Sequence, residues 1–302
     1  ASNPTIENGG MLYESKWKIF RLIPKEFYPD TIYIEELESF DSIVGKFNNS
    51  NFKFPVIAKP DVGGRGFGVK IIYTLNDLED YRNLVKVPFL IQAYVEYPLE
   101  LSVFYYRNPS EDAGKIISLT GKELLAITGD GHSSIDSLIE NNDRAFLQYE
   151  KLGTDSKIDL HQILSKGEKR TLVPYGNHVL GCTFLDFTPK IDSELTTTFD
   201  LIRKRIDGFY FGRYDIRCKN LEDLKKGKNM AILELNGAGA EPAHIYDPNF
   251  SYFKAQQVLI NYFECMYKAS SENHKHGIPY MSYSDFKIAR KLDKAYKLKI
   301  KV

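Results

Sequence analysis

Two stretches of this sequence bring together residue types that do chemistry. The first is Lys59-Pro60-Asp61-Val62-Gly63-Gly64-Arg65-Gly66-Phe67-Gly68-Val69, where four glycines and an arginine follow a lysine. Glycines let main-chain N–H groups approach an anion closely, and Lys59 and Arg65 place positive charge beside them, which is the chemistry of a phosphate cradle. Gly64, Gly66 and Gly68 match part of a dinucleotide-binding fingerprint. That fingerprint needs a helix after the loop, however, and residues 69–73 read as a strand. The Gly-x-x-x-x-Gly-Lys-Ser/Thr order is missing too, and a ligand-free hairpin loop would carry the same glycines.

The second stretch is acidic. Gly212-Arg213-Tyr214-Asp215-Ile216-Arg217 is followed by Ala231-Ile232-Leu233-Glu234-Leu235-Asn236-Gly237. In a strand, side chains alternate between faces, so Glu234 and Asn236 point the same way and Asp215 on a neighbouring strand can join them. Two carboxylates and an amide oxygen form a hard, oxygen-rich site suited to Mg2+, which keeps waters and nucleotide phosphates as its other ligands. The polar edge of a half-buried sheet has the same composition, and on these residues alone the two readings are nearly level.

These groups need strands to hold them. Apolar alternation predicts strands at 54–59 and 69–73 around the glycine-rich loop, and at 89–95, 101–106, 115–119, 124–128, 171–175, 182–187, 209–216 and 230–235. Helices are expected to start at Asn76 and to cover 135–141, 193–206 and 251–269. The pattern is α+β rather than a regular βαβ alternation. From Lys287 to Lys301 seven basic residues stand against Asp293 alone, with Ile288, Leu292, Ala295 and Leu298 at helical spacing. That reads as a solvated helix with one packed face; the alternative is a helix for a membrane surface or nucleic acid.

With 302 residues, 43% hydrophobic and 26% charged, the chain has room for a substantial core, which excludes disorder and fibrous repeats. Its 40 basic and 40 acidic side chains cancel, so no whole-chain field draws it to nucleic acid or to an anionic membrane. Any anion site is therefore local. Cys182, Cys218 and Cys265 show no paired spacing, which argues against a disulfide framework or a zinc ribbon and fits a reducing cytoplasm. No apolar run approaches the ~20 residues that span a bilayer. The chain opens at Ala1 without a methionine, as a fragment would.

Taken together and in order, the Lys-Pro-x-x-Gly-Gly-x-Gly loop, the later Arg-x-Asp and the Glu-x-Asn strand resemble the motifs of ATP-grasp ligases, over about Lys16 to Pro242. The resemblance implies an α+β, ATP-grasp fold in which two subdomains grip ATP. Residues 1–50 would be an N-terminal segment, 51–96 a small subdomain with the glycine-rich lid, 97–250 a large subdomain and 251–302 a helical C-terminal extension. It also implies roles. Lys59 would contact the α- and β-phosphates, and Lys16, or else Lys18, would be a second phosphate lysine. Gly63, Gly64, Arg65 and Gly66 would cover the phosphates, Gln92, Ala93, Tyr94 and Val95 would form the hinge against adenine, and Glu100 would bind the ribose. Gln92 stands where the family often has glutamate, so the adenine amino group is expected to meet main-chain carbonyls. Asp215, Glu234 and Asn236 resemble Mg2+ ligands, and Arg213 the arginine that stabilises a tetrahedral intermediate.

Two further segments resemble those of amino-acid-adding members, cyanophycin synthetases among them. One is Gly121-Lys122-Glu123 with Gly129-Asp130-Gly131; the other is Asn177-His178-Val179-Leu180-Gly181, with an asparagine near the phosphates and acceptor. His178 is either structural, a base or a contact to the acceptor. The implied activity is an ADP-forming carboxylate–amine ligation through an acyl phosphate, joining an amino acid or peptide. ATP and Mg2+ would be its cofactors, and a small-molecule carboxylate and amine its partners. An ATP-binding regulatory or phosphoryl-transfer module of the same fold is the alternative. The α/β domain that usually precedes the lysine region is expected to be absent or truncated.

Overall fold

The computed structural model describes residues 1–64, 66–153 and 158–301. Apolar alternation in these residues builds two antiparallel sheets. β1 (Thr31–Ile34), β2 (Val56–Pro60), β3 (Lys70–Ile72) and β4 (Phe89–Ala93) form a four-stranded sheet in the order β1-β4-β2-β3. β5 (Leu99–Tyr106) and β6 (Lys115–Glu123) begin a second sheet. β7 (Ala126–Thr128) and β8 (Lys169–Thr171) pair apart as a ribbon. β9 (Thr183–Asp186), β10 (Phe211–Cys218) and β11 (Met230–Asn236) complete the five-stranded order β11-β10-β5-β6-β9. The class is α+β, as expected, and the two sheets share one cleft, as the resemblance implies.

A short helix, α1 (Lys16–Phe20), buries Ile19 and Phe20 in the core of the large sheet, whereas α2 (Phe40–Asn48) and α3 (Leu75–Leu84) contribute to that of the small one. α3 starts at a capping box: the Thr74 hydroxyl accepts the Asp77 N–H and the Asp77 carboxylate accepts the Thr74 N–H, each at 3.1 Å. Ile43, Phe47, Leu78 and Tyr81 are buried against Val56, Ala58, Ile72 and Ile91. Fully burying side chains of this kind stabilises the fold by roughly 1.5–3 kcal/mol each. α4 (Ile135–Glu140) belongs to a small satellite core with the β7–β8 ribbon.

In the large sheet the alternation separates core from chemistry. Leu101, Val103 and Tyr105 of β5 face α5 (Ser193–Lys204), which supplies Leu195, Phe199 and Ile202. Glu100 and Ser102 face the other way. Register then sets their neighbours: Glu100 lies opposite Lys122 and Arg217, Ser102 opposite Asp215, Asp215 opposite Glu234, and Arg213 opposite Asn236. One polar layer results.

Several expectations need correction. β6 runs unbroken through Gly121-Lys122-Glu123 instead of ending at 119, so Lys122 belongs to the sheet. The strand expected at 171–175 stops at Thr171, and the following residues pass over the cleft as a loop. β1 shows that the small sheet draws on residues before 51. α6 (Tyr252–Lys275) runs longer than expected and packs Tyr262 and Ala269 against Phe104 and Phe211.

The last helix, α7 (Tyr283–Leu298), does form, but it packs another face. Ile288, Leu292 and Leu298 are 55%, 46% and 74% exposed, and Ala295 is exposed too. The inward positions are Phe286, Ala289, Asp293 and Tyr296, followed by Ile300 in the small-sheet core. Two main-chain hydrogen bonds to the Tyr296 hydroxyl, and the burial of Ile300, outweigh the apolar stripe in setting the helix's rotation. Among the described residues no helix is long and apolar enough to cross a membrane.

Candidate active site

A cleft of about 600 Å³ opens between the two sheets. Its first element is Lys59, carried on β2 and buried at 6% exposure. The ammonium donates to Gln92 Oε1 at 2.8 Å and, across the cleft, to the Leu233 carbonyl at 2.9 Å. That carbonyl is available for a reason. The pairing of β10 with β11 shifts between Asp215–Glu234 and Ile216–Ile232, and this bulge leaves Leu233 without a partner opposite. Burial lowers the Lys59 pKa to about 8, with Glu234 and Asp215 only partly offsetting it.

Both ends of the Gln92 amide are engaged. Its carbonyl accepts from Lys59 and its amide donates to Thr31 Oγ1 at 3.0 Å. Ala93, Tyr94 and Val95, expected as a hinge, line the cleft, but the Val95 carbonyl accepts from Arg217 at 2.8 Å. Glu100 is buried between two cations, Arg217 at 3.0 Å and Lys122 at 3.2 Å. Arg217 also donates to the Pro174 carbonyl at 2.9 Å, and so joins the hinge, Glu100 and the covering loop.

Asp215 accepts from Ser102 and from Arg213, whose Nη2 is 3.0 Å away, and lies 3.4 Å from Lys122. Burial opposes its charge, but Arg213 and Lys122 prevail and hold its carboxyl well below the usual range. Asn236 donates its amide to Asp215 at 3.1 Å. Glu234 faces Lys16 at 3.4 Å, and Lys16 also donates to the Gly63 carbonyl. Of the two candidate lysines near the start, Lys16 thus lies at the site. Lys18 is exposed and pairs with Glu7.

The glycine-rich loop spans β2 and β3. Gly63, Gly66 and Gly68 have φ of +123°, +68° and +72°, conformations that other residues rarely adopt. Gly63, Gly64 and Gly66 line the cleft, and a Cβ on Gly66 would collide with the Asn177 amide. Arg65 lies outside the described residues. Asn177 caps the turn that follows it, accepting from the Val179 N–H at 2.9 Å. His178 stacks between Phe184 and Tyr246, with centroids 5.0 and 5.5 Å away, and its Nδ1 lies 3.2 Å from the Cys182 carbonyl. In contrast, Gly129-Asp130-Gly131 is absent from the cleft lining, and Asp130 is occupied with its own turn.

Lys122, Arg217 and Glu14 line the cleft and Ser102 donates to Asp215, though none of the four was expected there. Arg213, Asp215 and Arg217 are two residues apart in one strand, so period-two alternation alone puts all three on one face; the expected strand end at 216 hid the third. Burial, with Glu234 and Asp293 adding to it, raises the Glu14 carboxyl pKa.

No family model matches this chain, and no curated protein does. Solved structures do match. The D-alanine–D-alanine ligase of Bacillus anthracis complexed with ATP is 13% identical over 86% of this chain and 68% of its own, with a TM-score of 0.45. A bifunctional glutathione synthetase from Pasteurella multocida is 15% identical over 85% of this chain, with a TM-score of 0.44. The VanG D-Ala:D-Ser ligase of Enterococcus faecalis is 11% identical over 82%, also at 0.44. This chain spans 38% of the synthetase and 61% of VanG. At such identities the chemistry has to be read from the side chains of the cleft.

Proposed function

We propose that the cleft binds ATP and that the protein is an ADP-forming carboxylate–amine ligase of the ATP-grasp type. The observation that carries this reading is Lys59, a buried ammonium held only by neutral oxygens between two sheets, beneath a glycine-rich hairpin. An ammonium so placed favours an anion, and the main-chain N–H groups of the loop suit phosphate oxygens. Lys16 adds a second cation on the same side. The hinge at 93–95 offers an apolar slot for a base, and Glu100 remains an acceptor for ribose hydroxyls despite its two cations.

The acidic trio fits a divalent cation in type and placement. Asp215, Glu234 and Asn236 share one face, and two carboxylates facing a polyphosphate would repel it unless a cation stood between. They would hold Mg2+, which when bound neutralises phosphate charge during phosphoryl transfer. Arg213 lies beside them, and its guanidinium would stabilise the oxyanion that develops as an amine attacks an activated carboxyl. An acyl phosphate has to be shielded from water, and the glycine-rich hairpin beside Lys59 would do this by closing over the cleft. His178, held in its aromatic stack, shapes the acceptor end of the cleft.

The test is to incubate the protein with ATP, magnesium, a carboxylate panel and hydroxylamine, which traps acyl phosphates as hydroxamates. Hydroxamate that forms with one class of carboxylate, together with ADP, supports ligation and is expected to vanish in Arg213→Ala. ADP without hydroxamate across amino acids, peptides and simple acids contradicts carboxylate activation and points to a phosphoryl-transfer module.

A further inference from the structure

The C-terminal helix is not an appendage. Its inward face meets the entry stem of the glycine-rich loop, and the segment just after it meets the exit stem. At the entry, the Tyr296 hydroxyl accepts the Val62 N–H at 3.2 Å and donates to the Pro88 carbonyl at 2.7 Å; the same carbonyl accepts the Asp61 N–H at 3.0 Å. At the exit, Gly68 sits so close to Ile300 that a Cβ there would lie 3.5 Å from the isoleucine methyl. The Gly68 carbonyl is held by the Tyr81 hydroxyl at 2.8 Å.

The segment after α7 is itself fixed. Ile300 pairs with Val85, the Lys301 N–H donates to the Leu84 carbonyl at 3.0 Å, and Lys86 donates to the Lys299 carbonyl at 3.2 Å. Lys299 pairs with Glu36 at 2.8 Å. On the same inward side, Asp293 and Lys297 line the cleft, and the Tyr296 ring meets the edge of Tyr13, another lining residue.

We propose that α7 is a working wall of the cleft and that Tyr296 is a positioning residue, fixing the entry stem of the glycine-rich loop so that its N–H groups face the nucleotide. This rests on the ATP-binding reading above. A loop rich in glycine has many conformations to lose on binding, and a side chain that restricts its stem beforehand reduces that loss. Only the hydroxyl does this, because the ring packs whether or not the oxygen is there.

The experiment is Tyr296→Phe in the full chain, with Tyr283→Phe, 74% exposed on the same helix, as control. Amide hydrogen exchange is followed at Val62, Gly63 and Gly64 and, for reference, in β5. Mg–ATP affinity is measured by calorimetry. We expect exchange at Val62, Gly63 and Gly64 to quicken about fivefold and affinity to fall about fivefold, the factor equivalent to one net hydrogen bond of ~1 kcal/mol. β5 exchange and the control should not change. Unaltered exchange at Val62 overturns the proposal. Faster loop exchange with unchanged affinity overturns it as well, and so does an equal acceleration in β5, which would mean global destabilisation. If the wild type binds no ATP, the nucleotide reading fails, while the exchange arm still decides whether Tyr296 holds the loop.

Discussion

Two lysines meet in this cleft, one from each sheet, and their surroundings assign them different work. Lys122, on β6 of the large sheet, lies 3.2 Å from Glu100 and 3.4 Å from Asp215. Burial disfavours its charge, but the two carboxylates more than compensate, and its pKa is raised. Lys59, on β2 of the small sheet, has only an amide and a main-chain carbonyl, and burial brings its pKa down to about 8. A buried cation with its counter-charges in place is a finished part of the protein. A buried cation without them is a site for a ligand that brings negative charge.

That contrast is best broken at Lys122. Lys122→Met leaves Glu100 and Asp215 with less compensation in the sheet interior, and removing one member of such a buried network costs about 3–5 kcal/mol. Denaturant unfolding should show that loss. A variant of wild-type stability would mean that the network does not hold the large sheet together.

Lys59 should behave in the opposite sense with pH. Its folded pKa is depressed below the unfolded 10.5, so the buried charge weakens the fold fully below pH 8, and the penalty is relieved as pH rises towards 10.5. The stability of wild type minus that of Lys59→Met should therefore climb across that window, by roughly 3 kcal/mol at most. A flat difference from pH 7.5 to 10.5 would show that Lys59 titrates normally. The smallest effect is expected for Ser102→Ala, which removes one hydroxyl from Asp215 and should cost about 1.5 kcal/mol of stability. A loss above about 4 kcal/mol would instead mark the hydroxyl as essential to the network.

Much of this was legible in the sequence. Glycine punctuation located the β2–β3 hairpin, and period-two spacing placed Glu234 and Asn236 on one face with Asp215 beside them, where the structure has them. The missing pieces have physical causes. Gly121-Lys122-Glu123 falls between the strands expected at 115–119 and 124–128, yet β6 runs through it, with the Phe187 ring packed where a Cβ on Gly121 would stand. The apolar stripe of α7 misled because hydropathy cannot register a tyrosine hydroxyl bound to a distant main-chain N–H, nor an aspartate that faces a cleft. The bulge that frees the Leu233 carbonyl for Lys59 is a property of pairing between β10 and β11, which neither strand's own sequence reveals.

The phosphate contact proposed for Lys59 rests on its ammonium having only neutral oxygens as hydrogen-bond partners. Calorimetry of Mg–ATP binding to wild type and to Lys59→Met, at pH 7 and pH 9, tests it most directly. The variant should bind more weakly by about 2–4 kcal/mol at pH 7, and wild-type affinity should fall from pH 7 to pH 9 as Lys59 deprotonates, a trend absent from the variant. Equal affinities at pH 7, with the variant folded, would contradict it.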